Sequence, residues 1–238
     1  MKEDKTWFEE RVELYPASKD AVFALLQEKI KAFRFVENDV DDAEGVCSIW
    51  YRSDEIHHFR HVQEGIRSLF QDIMITHPNQ TFVGELVRLM IHKKWKIAFA
   101  ESLTAGYASS LIANIPDASK VLEQSFVVYS EKAKETILGL DPTLMNSEGV
   151  VNELVASAMA KGLFERTNAE VCISLTGIAG PSTDAFQTPV GTVWIGIAIE
   201  GKVTTKEFHF HGNRNRIRRQ AAHTAINETL QMLLEEKL

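Results

Sequence analysis

The sequence predicts an α/β layered domain with a mixed sheet, preceded by a small, helix-rich α+β region. From residue 96 onward, short apolar segments alternate with amphipathic helical segments, which is typical of a sheet covered by helices. Two late apolar segments are joined by a Glu-Gly turn, which predicts an antiparallel hairpin within that sheet. Because the pattern changes around residues 76–82, we expect two domains, 1–79 and 80–238.

The composition of the 238-residue chain is that of a globular protein and excludes several classes of function. Hydrophobic residues make up 45% of the chain, charged residues make up 25%, and the net charge is −7. That charge argues against nucleic-acid binding as the main role, which needs a large positive surface. No apolar run approaches ~18 residues and the first residues are charged, so we expect a cytoplasmic protein without a membrane span. We expect no disulfide between Cys47 and Cys172.

The N-terminal region is predicted to contain two helices around one short strand. Helical spacing covers residues 18–33 and 54–70, and the apolar segment VCSIWY between them is predicted to be a strand. The acidic segment 37–45 lacks the ligand spacing of a calcium loop and is predicted to be a solvated connection. One face of the first helix carries Val22, Phe23, Leu26, Ile30 and Phe33.

The C-terminal region is predicted to alternate strands with helices, after a helix at 81–94. Asn152 is the expected N-cap of the strongest amphipathic helix. The predicted strands are 96–100, 125–129, 170–175, 191–201 and 202–211, and the predicted helices are 104–113, 130–138, 152–167 and 214–236.

Three chemically rich loops follow apolar strands of this region. They are ESLTAG at 101–106, YSEKAK at 129–134 and TGIAGP at 176–181. Loops at the carboxyl ends of parallel strands build the sites of α/β proteins. If the three strands run parallel, these loops meet at one edge of the sheet.

Ser102 lies just before a predicted helix, and two readings of it are open. It can cap the helix, as can Thr104. It can also act as a nucleophile, in which case the first free N–H groups of the helix stabilise the oxyanion that develops on the substrate. Ala105 and Gly106 are small and would allow close approach of a substrate. The TGIAGP loop can likewise be a tight turn or can present N–H groups to an anion.

A nucleophilic serine needs a base, and no histidine makes a convincing partner. His57 and His61 are one helical turn apart, but no third metal ligand is evident, so we expect exposed histidines there. Lys132 and Lys134 remain, and a lysine can act as a base only where burial or positive charge lowers its pKa.

An arginine cluster opens the last predicted helix of this acidic chain. Helical spacing places Arg214 and Arg218 on one face. Guanidinium groups suit a phosphate or a carboxylate, but these side chains can equally balance neighbouring acids on the surface. The cluster comprises Arg214, Arg216, Arg218 and Arg219.

Five ordered motifs resemble the CinA C-terminal domain family, whose characterised enzyme is nicotinamide-nucleotide amidase (NMN deamidase). They are AESLTAG, FVVYSEKAKETILGL, LTGIAGP, PVGTVWIGIA and GNRNRIRRQAA, within residues 80–238. The resemblance implies a three-layer α/β/α sandwich and a homo-oligomeric Ser/Lys amidohydrolase that uses no metal and no cofactor. The implied reaction converts nicotinamide mononucleotide, a small-molecule partner, to nicotinate mononucleotide and ammonia.

The family's motifs can be carried onto this chain residue by residue. The resemblance implies Ser102 as nucleophile, Lys134 as base and Tyr129 as the group that orients the lysine or relays a proton. We expect N–H groups around Thr104 to Gly106 to bind the oxyanion, and Arg214 or Arg218 with the Thr176 loop to bind phosphate and ribose. The implied oxyanion and substrate-binding set is Glu101, Thr104, Ala105, Gly106, Thr176, Gly177, Ala179, Gly180, Arg214 and Arg218.

Four residues depart from the family's pattern. Ala105 stands where the family has glycine and disfavours a positive φ. Glu131 stands in place of asparagine and would raise the pKa of Lys134, the wrong direction for a base. Ser125 and Asn213 replace a common glycine and an aspartate. These departures leave open a second reading, a non-catalytic CinA-like nucleotide-binding or assembly module.

Overall fold

The computed structural model describes residues 6–14, 17–43, 46–70 and 81–235. The chain divides into two compact units, residues 1–82 and 83–238. The predicted domain boundary at 79/80 lies outside the described residues. We describe each unit by itself.

The N-terminal unit is a three-stranded antiparallel sheet with two helices. The strand order is β1-β3-β2, with β3 pairing antiparallel to both neighbours. Both helices pack on the sheet, and their apolar residues form one core with it, including Leu26, Ile49 and Ile66. The elements are β1 (Phe8–Leu14), α1 (Lys19–Lys29), a 3₁₀ turn (Lys31–Phe35), β2 (Glu37–Ala43), β3 (Val46–Ser53) and α2 (Ile56–Phe70).

The sequence-based expectation of a single strand in this unit is wrong, because the pattern did not reveal two strands rich in charged residues. The predicted acidic loop 37–45 contains β2, where Val40 points into the core while charged side chains face outward. In β1 the inward position Glu10 is buried, and its carboxylate accepts hydrogen bonds from the Tyr51 hydroxyl and from Gln63 Nε2 (2.9 Å). A buried carboxylate at an inward position hides the alternation of apolar and polar residues by which a strand is recognised in sequence. The first helix also ends earlier than predicted, at Lys29.

The C-terminal unit contains a five-stranded mixed sheet of order β5-β4-β6-β7-β8. β4 runs parallel to β5 and β6, whereas β6, β7 and β8 pair antiparallel. The predicted mixed sheet is therefore confirmed. Its strands are β4 (Ile97–Glu101), β5 (Leu122–Val127), β6 (Val171–Gly177), β7 (Thr192–Ile199) and β8 (Lys202–His209). The helices are α3 (Phe82–Lys93), α4 (Tyr107–Ala113), α5 (Glu131–Ala133), α6 (Pro142–Glu148), α7 (Glu153–Arg166) and α8 (Arg214–Glu235).

Helices cover both faces of this sheet, as the implied three-layer fold requires. Successive residues of a strand point to opposite faces. In β4, Ala98 and Ala100 pack with Met159 and Leu163 of α7, while Glu101 faces α4 on the other side. α8 packs beside α4 and against β6 and β7. Every residue of β4 is buried, which explains the unbroken apolar run of its first four residues, 97–100.

Local signals set the ends of several elements as predicted. The Asn152 side chain accepts a hydrogen bond from Val155 N (2.8 Å) and caps α7. The β7–β8 hairpin turns through Glu200 and Gly201, at φ 48° and 83°. The last helix begins at Arg214 as predicted, and its predicted end at Glu236 lies outside the described residues.

Two further expectations concern the cysteines and the membrane. Cys47 and Cys172 are not joined by a disulfide, as expected, and both are buried. None of the helices in the described part of the chain has the length and apolar character needed to span a bilayer.

Candidate active site

The three predicted loops meet at one edge of the mixed sheet. β4, β5 and β6 run parallel, so their carboxyl ends at Glu101, Val127 and Gly177 lie at the same edge. A cavity of about 530 Å³ opens there. Its walls are formed by Ser102, Leu103, Tyr129, Ser130, Glu131, Lys132, Lys134, Val150, Val151, Thr176, Gly177, Ile178, Ala179 and Arg214.

Ser102 and Lys134 approach each other in this cavity. Ser102 follows β4 directly, and its Oγ lies 3.3 Å from Lys134 Nζ. Lys134 Nζ also donates to Val128 O at 3.0 Å, which fixes the end of the side chain. Sequence alone left Lys132 as an equal candidate, but Lys132 is exposed and pairs with Glu135 at 3.0 Å.

The backbone around Lys134 directs its side chain inward. Ser130 caps the short helix α5 by accepting from Ala133 N at 3.1 Å. The chain then continues as a π-helical turn, Lys134–Leu138, that ends at Gly139 with φ 73°. Wider turns of this kind occur often at functional sites, because they move one side chain out of the regular helical position. Lys134 is 1% exposed as a result.

Burial sets the protonation of Lys134. It lowers the pKa of the lysine from 10.5 to about 8, because an ammonium ion loses hydration in the cavity wall. The nearby Glu131 carboxylate raises the pKa of Lys134, but this effect is smaller than that of burial. Glu131 therefore raises the pKa of Lys134, as expected from the sequence, but burial makes the net shift a lowering.

Glu101 lies beneath the loop and does not line the cavity. Its buried carboxylate accepts hydrogen bonds from the backbone N–H groups of Gly106 (2.8 Å), Ala108 (3.1 Å) and Ser109 (2.9 Å). It also accepts from Ser109 Oγ at 2.8 Å. A carboxylate at this position accepts hydrogen bonds from otherwise unpaired N–H groups at the start of α4, and its negative charge interacts favourably with the positive end of the helix dipole. Glu101 thus holds the loop in place and does not contact the cavity.

The predicted oxyanion donors around Thr104 to Gly106 need correction. α4 begins at Tyr107, and the N–H groups of the preceding turn already have partners: Ala105 donates to Ser102 O (3.2 Å) and Gly106 to Glu101. Among the described residues, the N–H groups of Leu103 and Thr104 donate no hydrogen bond. Thr104 is 0% exposed and does not line the cavity, whereas Leu103 does, so the N–H of Leu103 is the candidate donor to an oxyanion.

Ala105 adopts the left-handed conformation that the sequence predicted it would disfavour. Its φ is 49°, and Gly106 follows with φ 91°. A residue with a Cβ in this region costs roughly 1–2 kcal/mol. Ala105 is exposed, so its methyl group meets no steric obstacle and the strain is that of the backbone alone.

Tyr129 and Arg214 form the outer wall of the cavity. Arg214 Nη2 donates to the Tyr129 hydroxyl at 2.6 Å, and Arg214 Nη1 donates to Gly180 O at 2.6 Å. Tyr129 is 57% exposed. The structure therefore brings the tyrosine to Arg214 at the mouth, and not to Lys134 as the family's motif implied.

The third loop contributes mainly backbone to the cavity. Thr176 is buried, and its hydroxyl donates to Val150 O at 2.7 Å, which leaves its backbone and that of Gly177 facing the cavity. A Cβ at Gly177 would lie 2.7 Å from Thr192 O, so only glycine fits between these strands. Ala179 also lines the cavity, whereas Gly180 lies behind it as the acceptor of Arg214.

Arg218 does not line the cavity. Its Nε donates to Leu103 O at 2.9 Å and its Nη2 to Thr104 O at 2.8 Å. The guanidinium group is therefore occupied by the loop after Ser102, which removes Arg218 from the predicted phosphate ligands. Sequence reasoning missed Leu103 and the Val128 carbonyl, since apolar residues and backbone atoms carry no chemical signal in a motif.

No histidine of the described residues is among those that line this cavity. His57 and His61 are exposed on α2 of the N-terminal unit, and His223 stacks obliquely near Tyr107, with ring centroids 6.1 Å apart. Across residues 6–14, 17–43, 46–70 and 81–235, no group of three or more His, Cys, Asp or Glu side chains is arranged to hold a metal ion.

Comparison with known protein families gives this geometry its context. A family model for the CinA C-terminal domain matches residues 79–233. The chain belongs to the CinA family. It is 36% identical over 174 residues to a competence-damage inducible protein of Clostridium beijerinckii, covering 73% of this chain and 42% of that protein. It is 40% identical over 152 residues to a CinA-like protein of Thermotoga neapolitana, covering 64% of this chain and 37% of that protein. The chain therefore spans less than half the length of these curated relatives.

Solved structures of CinA proteins share the fold of the C-terminal unit. A CinA superfamily protein from Escherichia coli aligns with a TM-score of 0.62 and 32% identity, over 63% of this chain and 88% of that one. The competence/damage inducible protein CihA from Agrobacterium tumefaciens aligns with a TM-score of 0.59 and 31% identity, over 65% of this chain and 96% of that one.

Proposed function

We propose that this CinA-family chain is a Ser/Lys amidohydrolase that converts nicotinamide mononucleotide and water to nicotinate mononucleotide and ammonia. The observation that carries the proposal is the pair of Ser102 Oγ and Lys134 Nζ, 3.3 Å apart, with a buried lysine whose pKa lies near 8. A nucleophile beside a base of depressed pKa is the arrangement that acyl transfer needs.

The acylation step follows from this pair. Neutral Lys134 takes the proton of Ser102 as Oγ attacks the carboxamide carbon, and the C–O bond forms while the C=O π pair moves to oxygen. The N–H group of Leu103, a residue that lines the cavity, stabilises that oxyanion. The tetrahedral intermediate collapses, the C–N bond breaks, and the Lys134 ammonium returns its proton to the departing nitrogen, which leaves as ammonia.

Deacylation repeats the same steps with water. Lys134 takes a proton from a water molecule, whose oxygen attacks the acyl carbon of the ester on Ser102. Collapse breaks the ester C–O bond and returns the proton to Ser102 Oγ, which releases the carboxylate product. Each step uses only groups of this chain, and none requires a metal or a cofactor.

Size and charge of the cavity support a mononucleotide amide as substrate. A volume of about 530 Å³ is within the ordinary range for small-molecule sites. Arg214 and Lys132 bring positive charge to its wall, where a phosphate group would be favoured. The identity of the base and sugar comes from the family resemblance, as does our proposal that the chain acts as a homo-oligomer. That the protein is cytoplasmic is a proposal from the sequence pattern alone.

A non-catalytic CinA-like nucleotide-binding module is the second candidate. The observation that favours it is Glu131, which lines the cavity and raises the pKa of Lys134 against the effect of burial. Such a module would bind the nucleotide and leave its amide intact.

Ammonia release from nicotinamide mononucleotide by the purified chain, run beside Ser102→Ala, tests both candidates. We expect release by the wild type and none by the variant, with equal melting temperatures. Release by the variant at the wild-type rate would refute the serine mechanism. Nucleotide binding by calorimetry without any ammonia release would replace it with the binding module.

A further inference from the structure

Arg218, which does not line the cavity, donates hydrogen bonds to the loop that follows Ser102. Arg218 Nε and Nη2 bind the carbonyl oxygens of Leu103 and Thr104, and Nη1 lies 3.4 Å from Asn215 Oδ1. The family motif points to this residue only as an anion ligand. The contacts give its guanidinium a different task.

We infer that Arg218 is a positioning residue that orients the loop whose Leu103 N–H binds the oxyanion. In a planar trans peptide the C=O and N–H bonds point in opposite directions. Because Leu103 C=O points at Arg218, the peptide that follows Leu103 is fixed, and Leu103 itself is held in the wall of the cavity beside Ser102. The inference rests on the proposed amidohydrolase function, since it concerns the stabilisation of that reaction's oxyanion.

The second carbonyl contact holds the next peptide in the same way. Thr104 C=O also points at Arg218, so the N–H of Ala105 points away from it and closes a turn onto Ser102 O. Glu101 anchors the other end of the loop through the N–H of Gly106. Because Ser102 C=O accepts from Ala105, the N–H of Leu103 in the same peptide points away from that turn, and the loop is held from both ends before any substrate binds.

The charge of Arg218 adds to this effect. Among the described residues no carboxylate forms an ion pair with it, and its positive charge lies against the two carbonyl oxygens and Asn215 Oδ1. A cation at these carbonyl oxygens polarises the hydrogen-bonded peptides of the loop, including the one that carries the N–H of Leu103. The helix that carries Arg218 is firmly packed, since the neighbouring Ile217 and Ala221 are buried.

The test compares Arg218→Ala and Arg218→Lys with Arg216→Ala, an exposed arginine of the same helix that serves as the matched control. We expect Arg218→Ala to lower kcat about 10²-fold, as loss of one oxyanion donor does, with KM changed less than about 3-fold. Arg218→Lys should lose roughly tenfold, because an ammonium group cannot bind both carbonyls at once. Arg216→Ala should match the wild type.

A second readout separates this inference from the identity of the substrate. A fluorophosphonate forms a P–O bond with a nucleophilic serine and expels fluoride, and its charged transition state uses the same oxyanion donors. The rate at which Ser102 is labelled should fall in Arg218→Ala in parallel with kcat, and added ethylguanidinium should restore part of it. Thermal unfolding of each variant reports whether the fold is kept, and Arg218→Lys carries the test if the alanine variant does not fold.

The outcomes distinguish the two claims. Labelling of wild-type Ser102 without ammonia release would refute the proposed substrate, and the labelling rates would still test Arg218. A loss in Arg218→Ala that lies in KM alone would make Arg218 a substrate ligand and overturn the inference. Wild-type rates in that variant, or no labelling of Ser102 in the wild type, would overturn it as well.

Discussion

Replacing Glu131 with glutamine tests how this site sets the protonation of its base. Glu131 raises the pKa of Lys134, which burial lowers to about 8. A lysine base acts in its neutral form, so activity rises with pH through the pKa. Removing the carboxylate should lower the pKa of Lys134 and move this rise to lower pH.

The pKa of about 8 also limits the size of the effect. At pH 7, one unit below that pKa, roughly one-tenth of Lys134 is neutral, so a lower pKa can raise kcat/KM at most about tenfold. At pH 9 the lysine is already about nine-tenths neutral, so the gain should nearly vanish there. The gain in kcat/KM should therefore be large below the pKa of Lys134 and nearly absent above it.

The assay measures kcat/KM from about pH 6 to about pH 10, a range that covers both sides of the pKa of Lys134. Glu135→Gln is the matched control, because Glu135 is adjacent to Lys134 in the chain but pairs with Lys132. We expect its profile to follow the wild type. A Glu131→Gln profile that is unchanged, or shifted to higher pH, would refute the reasoning.

Two further variants test the energetics of the site. Lys134→Met should be inactive yet more stable at pH 7, by up to about 3 kcal/mol, because the pKa falls from 10.5 to about 8 on folding. Because the pKa of Lys134 is lower in the folded state, the unfolded chain binds more protons between pH 8 and 10.5. The stability gained by Lys134→Met should therefore shrink as pH rises through that window. A gain in the free energy of unfolding, measured with urea, that stays constant with pH would contradict this reasoning. Ala105→Gly should raise the free energy of unfolding by about 0.5–1 kcal/mol, the relief of the left-handed strain less the entropy cost of glycine, and a clear loss of stability would show that Ala105 is not strained.

Much of the candidate site could be predicted because its signals are local. Each of the three loops places polar residues or glycines directly after an apolar strand, and parallel strands bring such loops together. The position of Ser102 at the site and the alternating elements follow from that pattern, whereas its role as nucleophile is implied by the resemblance to the CinA family. The five motifs added Lys134 and Tyr129 by resemblance to the CinA family.

The errors have a common physical cause, which is that side-chain partners come from distant parts of the chain. Arg214 and Arg218 look equivalent as anion ligands in sequence, yet one reaches Gly180 and Tyr129 and the other reaches the loop after Ser102. The strand β1 was missed because Glu10 is buried against Tyr51 and Gln63, residues far away in the chain.

The sequence by itself determined the α/β class, the mixed sheet and the family, because hydrophobic periodicity and motif order are properties of the chain. Only the tertiary structure decided that Lys134 and not Lys132 meets Ser102, and that Leu103 and Thr104 keep free N–H groups in the described part of the chain. Both outcomes depend on burial and on hydrogen bonds between distant segments. Folding creates that environment, and it lowers the pKa of one lysine to about 8 while its neighbour two positions away stays exposed.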